Sequence, residues 1–268
     1  MRPPSMRSKL KSTKATSADH VYAYAAVEGR PPALPGSGMP DGAPPQIVSL
    51  SGGISLVVSR VPAQMYNAES IEARLSDLDW VSHAGAAHHT IVEAVADAGF
   101  VVLPFRLFTI FSSEASAREA LVERLTAIQR AFDRVRGRSE WVLRIGKPDP
   151  SRVTQPANVE ATSGTSFLAS KAKARRDEAA RTARVQHDAA AAYEALAKLA
   201  DAARLKDVEP GGTVLIDAAL LVPSDAAEAL ERALTAAAGQ LLDDGCAVSL
   251  TGPWPPYSFA SLDGPAHG

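Results

Sequence analysis

His83, His88 and His89 fall close together, and Glu93 follows His89 by four residues. On a helix, positions four apart share a face, so His89 and Glu93 could offer an imidazole and a carboxylate to one metal ion. A hydrolytic centre needs a third ligand and an open coordination position, and no further ligand stands near the pair in the sequence. The plainer reading is polar residues on a helix surface, or one histidine buried and hydrogen-bonded. Cys246 sits in DDGCAVSL, behind two acids and at a strand start, where nothing lowers a thiol pKa, and it reads as a small buried apolar residue. Asp243 and Asp244 read as the approach to a turn at Gly245. A dinucleotide fingerprint, a P-loop, a nucleophile elbow and a zinc-protease helix are all missing from the sequence.

With no catalytic set in view, composition bounds the remaining classes. The 268 residues suggest two domains, at about 150 residues each. Lys and Arg number 28 against 30 Asp and Glu, a net charge of −2, which argues against a surface built wholly for nucleic acid. A hydrophobic fraction of 46% is enough to bury a core. A lone cysteine excludes an intramolecular disulfide framework and a cysteine zinc site, and fits a reducing cytoplasm. No stretch is long and apolar enough to span a bilayer. Residues 1–19 carry five basic side chains without an apolar run behind them, so they read as a disordered basic tail rather than a secretory signal.

The first half, residues 20–146, alternates strand and helix signals. Val21–Val27 is a strand, and residues 29–46, with six prolines and four glycines, are a mobile loop. Ile47–Val61 reads as a strand pair turning at Gly52-Gly53. Helices are expected from Asn67 through Trp80 and from Ser82 to Ala98, closed by Gly99. Phe100–Phe105 is a buried strand. A helix starting at Ser113 then places Leu121, Leu125, Ile128 and Phe132 on one stripe, and Trp141–Ile145 is taken as the last strand of this half. The mixed pattern with a hairpin indicates an α+β fold.

Residues 147–164 are rich in proline and poor in large apolar side chains, and read as an interdomain linker. Beyond it, residues 165–259 form a second α+β domain. It opens with a long Ala-, Lys- and Arg-rich helix expected to run towards Pro210, cationic early and apolar only at Tyr193, Leu196 and Leu199. A strand over Val214–Val222, a helix to Leu242 and a strand over Ala247–Leu250 follow. The stretch TGPWPPYSF (251–259) is a stiff aromatic arm, suited to packing on its own domain or into a partner. Residues 260–268 read as a tail.

Four segments taken in order carry a family resemblance: His88-His89 with the following VVLPFRLFTIF, then GRSEWVLRI, SGTSFLASKAKARR, and TGPWPPYSF. Together they resemble the GvpL/GvpF family of gas vesicle proteins, from about Val21 to Phe259. Members usually continue the LPFR run with Phe-Gly-Thr, whereas this chain has Leu107-Phe108-Thr109, a large aromatic in the glycine position. The resemblance implies two α+β domains, the second ferredoxin-like with an added helix. It implies an accessory protein of gas vesicle assembly in the cytoplasm, with no catalysis, cofactor or metal. Its partners would be the small apolar shell protein (GvpA-like) and other accessory proteins, not a membrane or a specific nucleic acid.

Two partner surfaces are expected on that basis. One is the Phe100–Phe111 region with Trp80, Phe105, Arg106 and Phe108; the other is Trp254, Tyr257 and Phe259 beside the cationic face of Lys171, Lys173, Arg175 and Arg176. A nucleic-acid binder using the basic tail and the cationic helix is the first rival, and a metal enzyme centred on His88 and His89 the second.

Overall fold

The computed structural model describes residues 19–148 and 164–262, apart from 33, 35 and 210. The expected basic tail up to residue 18, residues 149–163 of the expected linker and the tail beyond Leu262 lie outside the described residues.

The first sheet is built around β1 (Asp19–Glu28), whose residues Val21–Val27 are all buried because helices cover both faces. A strand covered on both sides is apolar throughout instead of alternating. On one side β1 pairs with β3 (Ile54–Pro62), which pairs with β2 (Gln46–Ser49) across the Gly52-Gly53 turn. Both glycines have positive φ, 60° and 76°. On its other side β1 pairs with β4 (Val102–Pro104) and with β5 (Ile110–Phe111), all antiparallel.

Helices α1 (Ala68–Arg74) and α2 (Leu78–Asp97) lie over one face. Each has a side-chain cap: Asn67 accepts from the Ser70 N–H, and Asp77 accepts from the Trp80 N–H. The Asp77 cap moves the break earlier than expected, so Trp80 starts the second helix instead of ending the first. On the opposite face, the single expected helix is two, α3 (Glu114–Val122) and α4 (Leu125–Val135), with Leu121, Ile128 and Phe132 all buried as the stripe required.

The second sheet contains β6 (Arg138–Gly146), β7 (Ala202–Leu205), β8 (Val214–Pro223) and β9 (Ala247–Trp254), in the antiparallel order β7-β8-β6-β9. Helices α5 (Gly164–Ala197) and α6 (Ala227–Asp243) cover the face formed by Trp141, Leu143, Leu220 and Val222. The succession β-α-β-β-α-β in that order is the ferredoxin-like arrangement.

That arrangement corrects the sequence reading in three places. The strand expected over Trp141–Ile145 at the end of the first half is Arg138–Gly146, a central strand of the second sheet, paired with β8 and β9. The segment after it therefore joins a strand to a helix within the second half. Finally, the long helix stops at Ala197, and Ala202–Leu205 pairs with Ala218–Leu221 of β8. Pairing overrides the helical preference of alanine, arginine and leucine there.

The two halves share a core. One apolar cluster combines Leu56, Leu103, Ile128 and Phe132 from the first half with Ala219 and Leu221 of β8 and with Phe259 and Ala260 beyond β9.

Candidate functional site

The last residues of β9 and the arm that follows fold back across the junction of the halves. Gly252 approaches the Trp141 ring and the Glu140 carbonyl so closely that a β-carbon there would lie 2.8 Å from Trp141 Cδ2. With φ at 149°, only glycine fits. Past the prolines, Ser258 donates through its backbone N–H and its hydroxyl to the Glu140 carboxylate, at 2.6 and 2.7 Å. Glu140 is buried, and burial pushes its carboxyl above the usual carboxylate range despite those bonds. From the other half, the Arg134 guanidinium at the end of α4 donates to the Phe259 carbonyl at 3.0 and 3.1 Å and to the Ser261 carbonyl at 2.9 Å. One side chain from each half thus grips the arm.

Phe259, expected on a partner surface, is only 1% exposed. Burying an aromatic ring this fully contributes about 2–3 kcal/mol, so it serves the shared core. Trp254 and Tyr257 remain 36% and 37% exposed. Their rings lie against α2, with Trp254 5.5 Å from the His89 ring and Tyr257 6.1 Å from that of His88.

The two adjacent histidines have separate surroundings. His88 is buried, and its Nδ1 lies 2.7 Å from the Tyr22 hydroxyl. Burial, helped by the charge of His89, pushes the His88 pKa down to about 4. Burial pushes the Tyr22 phenol well above its ordinary value, so the hydroxyl stays protonated and can donate to a neutral imidazole. His89 lies near the surface, 4.0 Å from Glu93 and 3.4 Å from the Tyr257 hydroxyl. Among the described residues no group of three His, Cys, Asp or Glu side chains converges to hold a metal ion.

Trp80 and Phe108 are brought together, but facing inward. Trp80 is buried, its ring stacks on Phe108 at 5.2 Å between centroids and 2° between planes, and the Arg74 guanidinium carbon sits 4.7 Å from the Trp80 ring. Phe108 has φ at 63°, the left-handed conformation that glycine adopts without cost. Its aromatic stack offsets the backbone strain that the missing glycine leaves. Phe105 is half-buried and Arg106 exposed; both line a cleft of about 550 Å³ between the halves.

Lys171, Lys173, Arg175 and Arg176 lie on the leading part of α5, which is exposed from Phe167 to Ala180. Among its described side chains, burial begins at Val185 and continues at Ala189, Ala192 and Leu196. Arg184 donates to Asp244 at 2.7 Å, and this bond holds the Asp244 carboxyl below the usual range; Arg181 donates to the Asp244 carbonyl. Lys171, Lys173, Arg175 and Arg176 thus lie on an exposed end of the helix, while Arg181 and Arg184 further along are docked. Phe167 and Leu168, at the free end, are 54% and 66% exposed, a pair that reading for charge overlooked.

The aromatic arm and the cationic helix are not neighbours as expected. Asp244, where α5 is anchored, precedes β9, and Trp254 ends it, so the two surfaces are separated by the strand's length of about 25 Å.

Sequence and fold comparisons agree on the class. The family described as Gas vesicle synthesis protein GvpL/GvpF matches residues 20–261. Gas vesicle protein L of Streptomyces sp. (strain CB03234) is 30% identical over 237 residues, covering 82% of this chain and 85% of that protein. Gas vesicle protein L2 of Halobacterium salinarum is 29% identical over 206 residues, covering 69% and 73%. The crystal structure of the gas vesicle protein GvpF from Anabaena sp. PCC7120 has the same fold, with a TM-score of 0.66 at 16% identity over 91% of this chain and 97% of that one. GvpF from Microcystis aeruginosa gives 0.64 at 17%, covering 90% and 99%. The chain belongs to the GvpL/GvpF family and has an accessory role in gas vesicles. Among the described residues, no helix is long and apolar enough to cross a membrane.

Proposed function

We propose that the chain is a minor assembly factor that binds the small apolar shell protein, nucleating or chaperoning its entry into the vesicle wall, and performs no catalysis. A shell subunit exposes apolar surface before it is incorporated, and such surface aggregates unless covered. The observation that carries this reading is the free end of α5, where Phe167 and Leu168 stand exposed beside Lys171, Lys173, Arg175 and Arg176. Apolar side chains supply the contact, and the cations set its orientation. Trp254 and Tyr257, held at the junction, form a second contact surface for other accessory proteins.

The test is capture of purified shell protein by the full chain, alongside rescue of vesicles in a deletion host scored by pressure-sensitive turbidity. Phe167→Ser with Leu168→Ser, and Lys171→Glu with Arg175→Glu, are each expected to weaken capture at least tenfold and to abolish rescue. Trp254→Ala with Tyr257→Ala should leave shell capture intact while reducing capture of other accessory proteins. Full capture and full rescue by both α5 variants would overturn the assignment.

A further inference from the structure

The cleft of about 550 Å³ holds a concentration of positive charge that the neutral overall composition does not suggest. Its first-half wall carries Arg106 and Arg124, its second-half wall carries Arg204 and Lys206, and no carboxylate lines it among the described residues. Between the cations the walls are apolar, with Phe105, Phe111 and Leu121 facing Leu205. Much of this charge is answered internally: Arg124 has a partner of its own, and the buried Glu140 carboxylate lies within electrostatic reach of Arg204 and Lys206. Lys206 lies 3.5 Å from Asp217, and Arg204 sits over the Phe259 ring at 5.4 Å. Arg106 is exposed, and its guanidinium makes no hydrogen bond or ion pair among the described residues. The nearby Arg134 is held below its ordinary pKa by burial and, secondarily, by the charge of Arg204.

We propose that this cleft receives an acidic, apolar-studded segment of a partner polypeptide, its carboxylates on Arg106 and Arg204 and its apolar side chains between Phe105 and Leu205. Charge complementarity selects the carboxylates, because a bidentate guanidinium pairs with them better than any neutral group does. The apolar lining favours a peptide over nucleic acid, whose backbone would bring charge but nothing to cover those walls. A volume in this range suits a few side chains, not a duplex. The inference rests on the accessory-protein reading for the existence of a partner, but it concerns a different surface from the free end of α5.

The experiment uses the full chain and a fluorescein-labelled peptide of alternating leucine and glutamate, followed by anisotropy, with the leucine–glutamine peptide as control. The expected result is saturable binding of the glutamate peptide, weakened by added salt, with the glutamine peptide at least tenfold weaker. Arg106→Glu should weaken the glutamate peptide about tenfold with an unchanged melting temperature, since that side chain holds no internal contact. Arg204→Glu should do the same, read alongside its own melt. Equal binding of the two peptides, or full binding by Arg106→Glu, would overturn the proposal. A duplex oligonucleotide that displaces the peptide at lower concentration would reassign the cleft to nucleic acid. Self-association that blocks the peptide would reassign it to a second copy of the chain. Shell capture is scored separately, so losing one result does not take the other with it.

Discussion

Phe108 shows what one side chain can cost and recover. A non-glycine residue in the left-handed region carries about 1–2 kcal/mol of strain, and here the stack on Trp80 returns a comparable amount. Removing the ring without relieving the backbone should be the worse change. Phe108→Ala is therefore expected to be less stable than Phe108→Gly by about 1 kcal/mol, the reverse of the order in a helix or strand. Chemical denaturation of both variants checks this, and an alanine variant as stable as the glycine one would remove the strain argument. His88 makes a second prediction. Its folded pKa of about 4 lies below the value of 6.5 in the unfolded chain, so the unfolded chain takes up the proton first. The stabilisation is complete above pH 6.5 and is lost as pH falls towards 4, to a limit of about 3 kcal/mol. Between those pH values wild type should lose more stability than His88→Gln, which has no proton to gain there.

The sequence carried some elements plainly and concealed others, and the reasons are physical. Val21–Val27, the Gly52-Gly53 turn and the α4 stripe were readable because burial requires apolar residues at fixed spacing. β7 was not, since Ala202–Leu205 owes its extended form to β8 and nothing in AARL asks for a strand. The place of β6 could not be read either. Trp141, Leu143 and Ile145 announce a strand with one buried face, but periodicity does not say which sheet that face closes. For the candidate site, residue type alone misjudged exposure in several places. Phe259 and Trp80 are interior, whereas Phe167 and Leu168 are outside. Aromatic content marks where apolar contact is made without telling whether its partner is the same chain.

Two sheets that each resemble a domain need not behave as two. Each half has an apolar cluster of its own, but a third cluster joins Phe132 and Leu103 to Leu221 and Phe259 and ties the two together. Unfolding of the whole chain is expected to be a single transition, with calorimetric and van't Hoff enthalpies equal. Arg134→Ala, which removes the donor shared by the Phe259 and Ser261 carbonyls, should lower the stability measured by that one transition by about 1–3 kcal/mol and should not split off a second. Two separated heat-absorption peaks in wild type would show the halves to be independent.

The arm also sets an order of events in time. Residues 255–262 leave the ribosome after every strand of both sheets, yet Phe259 and Ala260 complete a core begun by β1. Between the emergence of Val135 and that of Phe259 lie about 120 residues, on the order of ten seconds of synthesis. For that interval the nascent first half holds an unfilled apolar site, shaped for a ring that has not yet arrived. A cell making this protein in quantity needs either a slow aggregation rate in that window or a chaperone to occupy it.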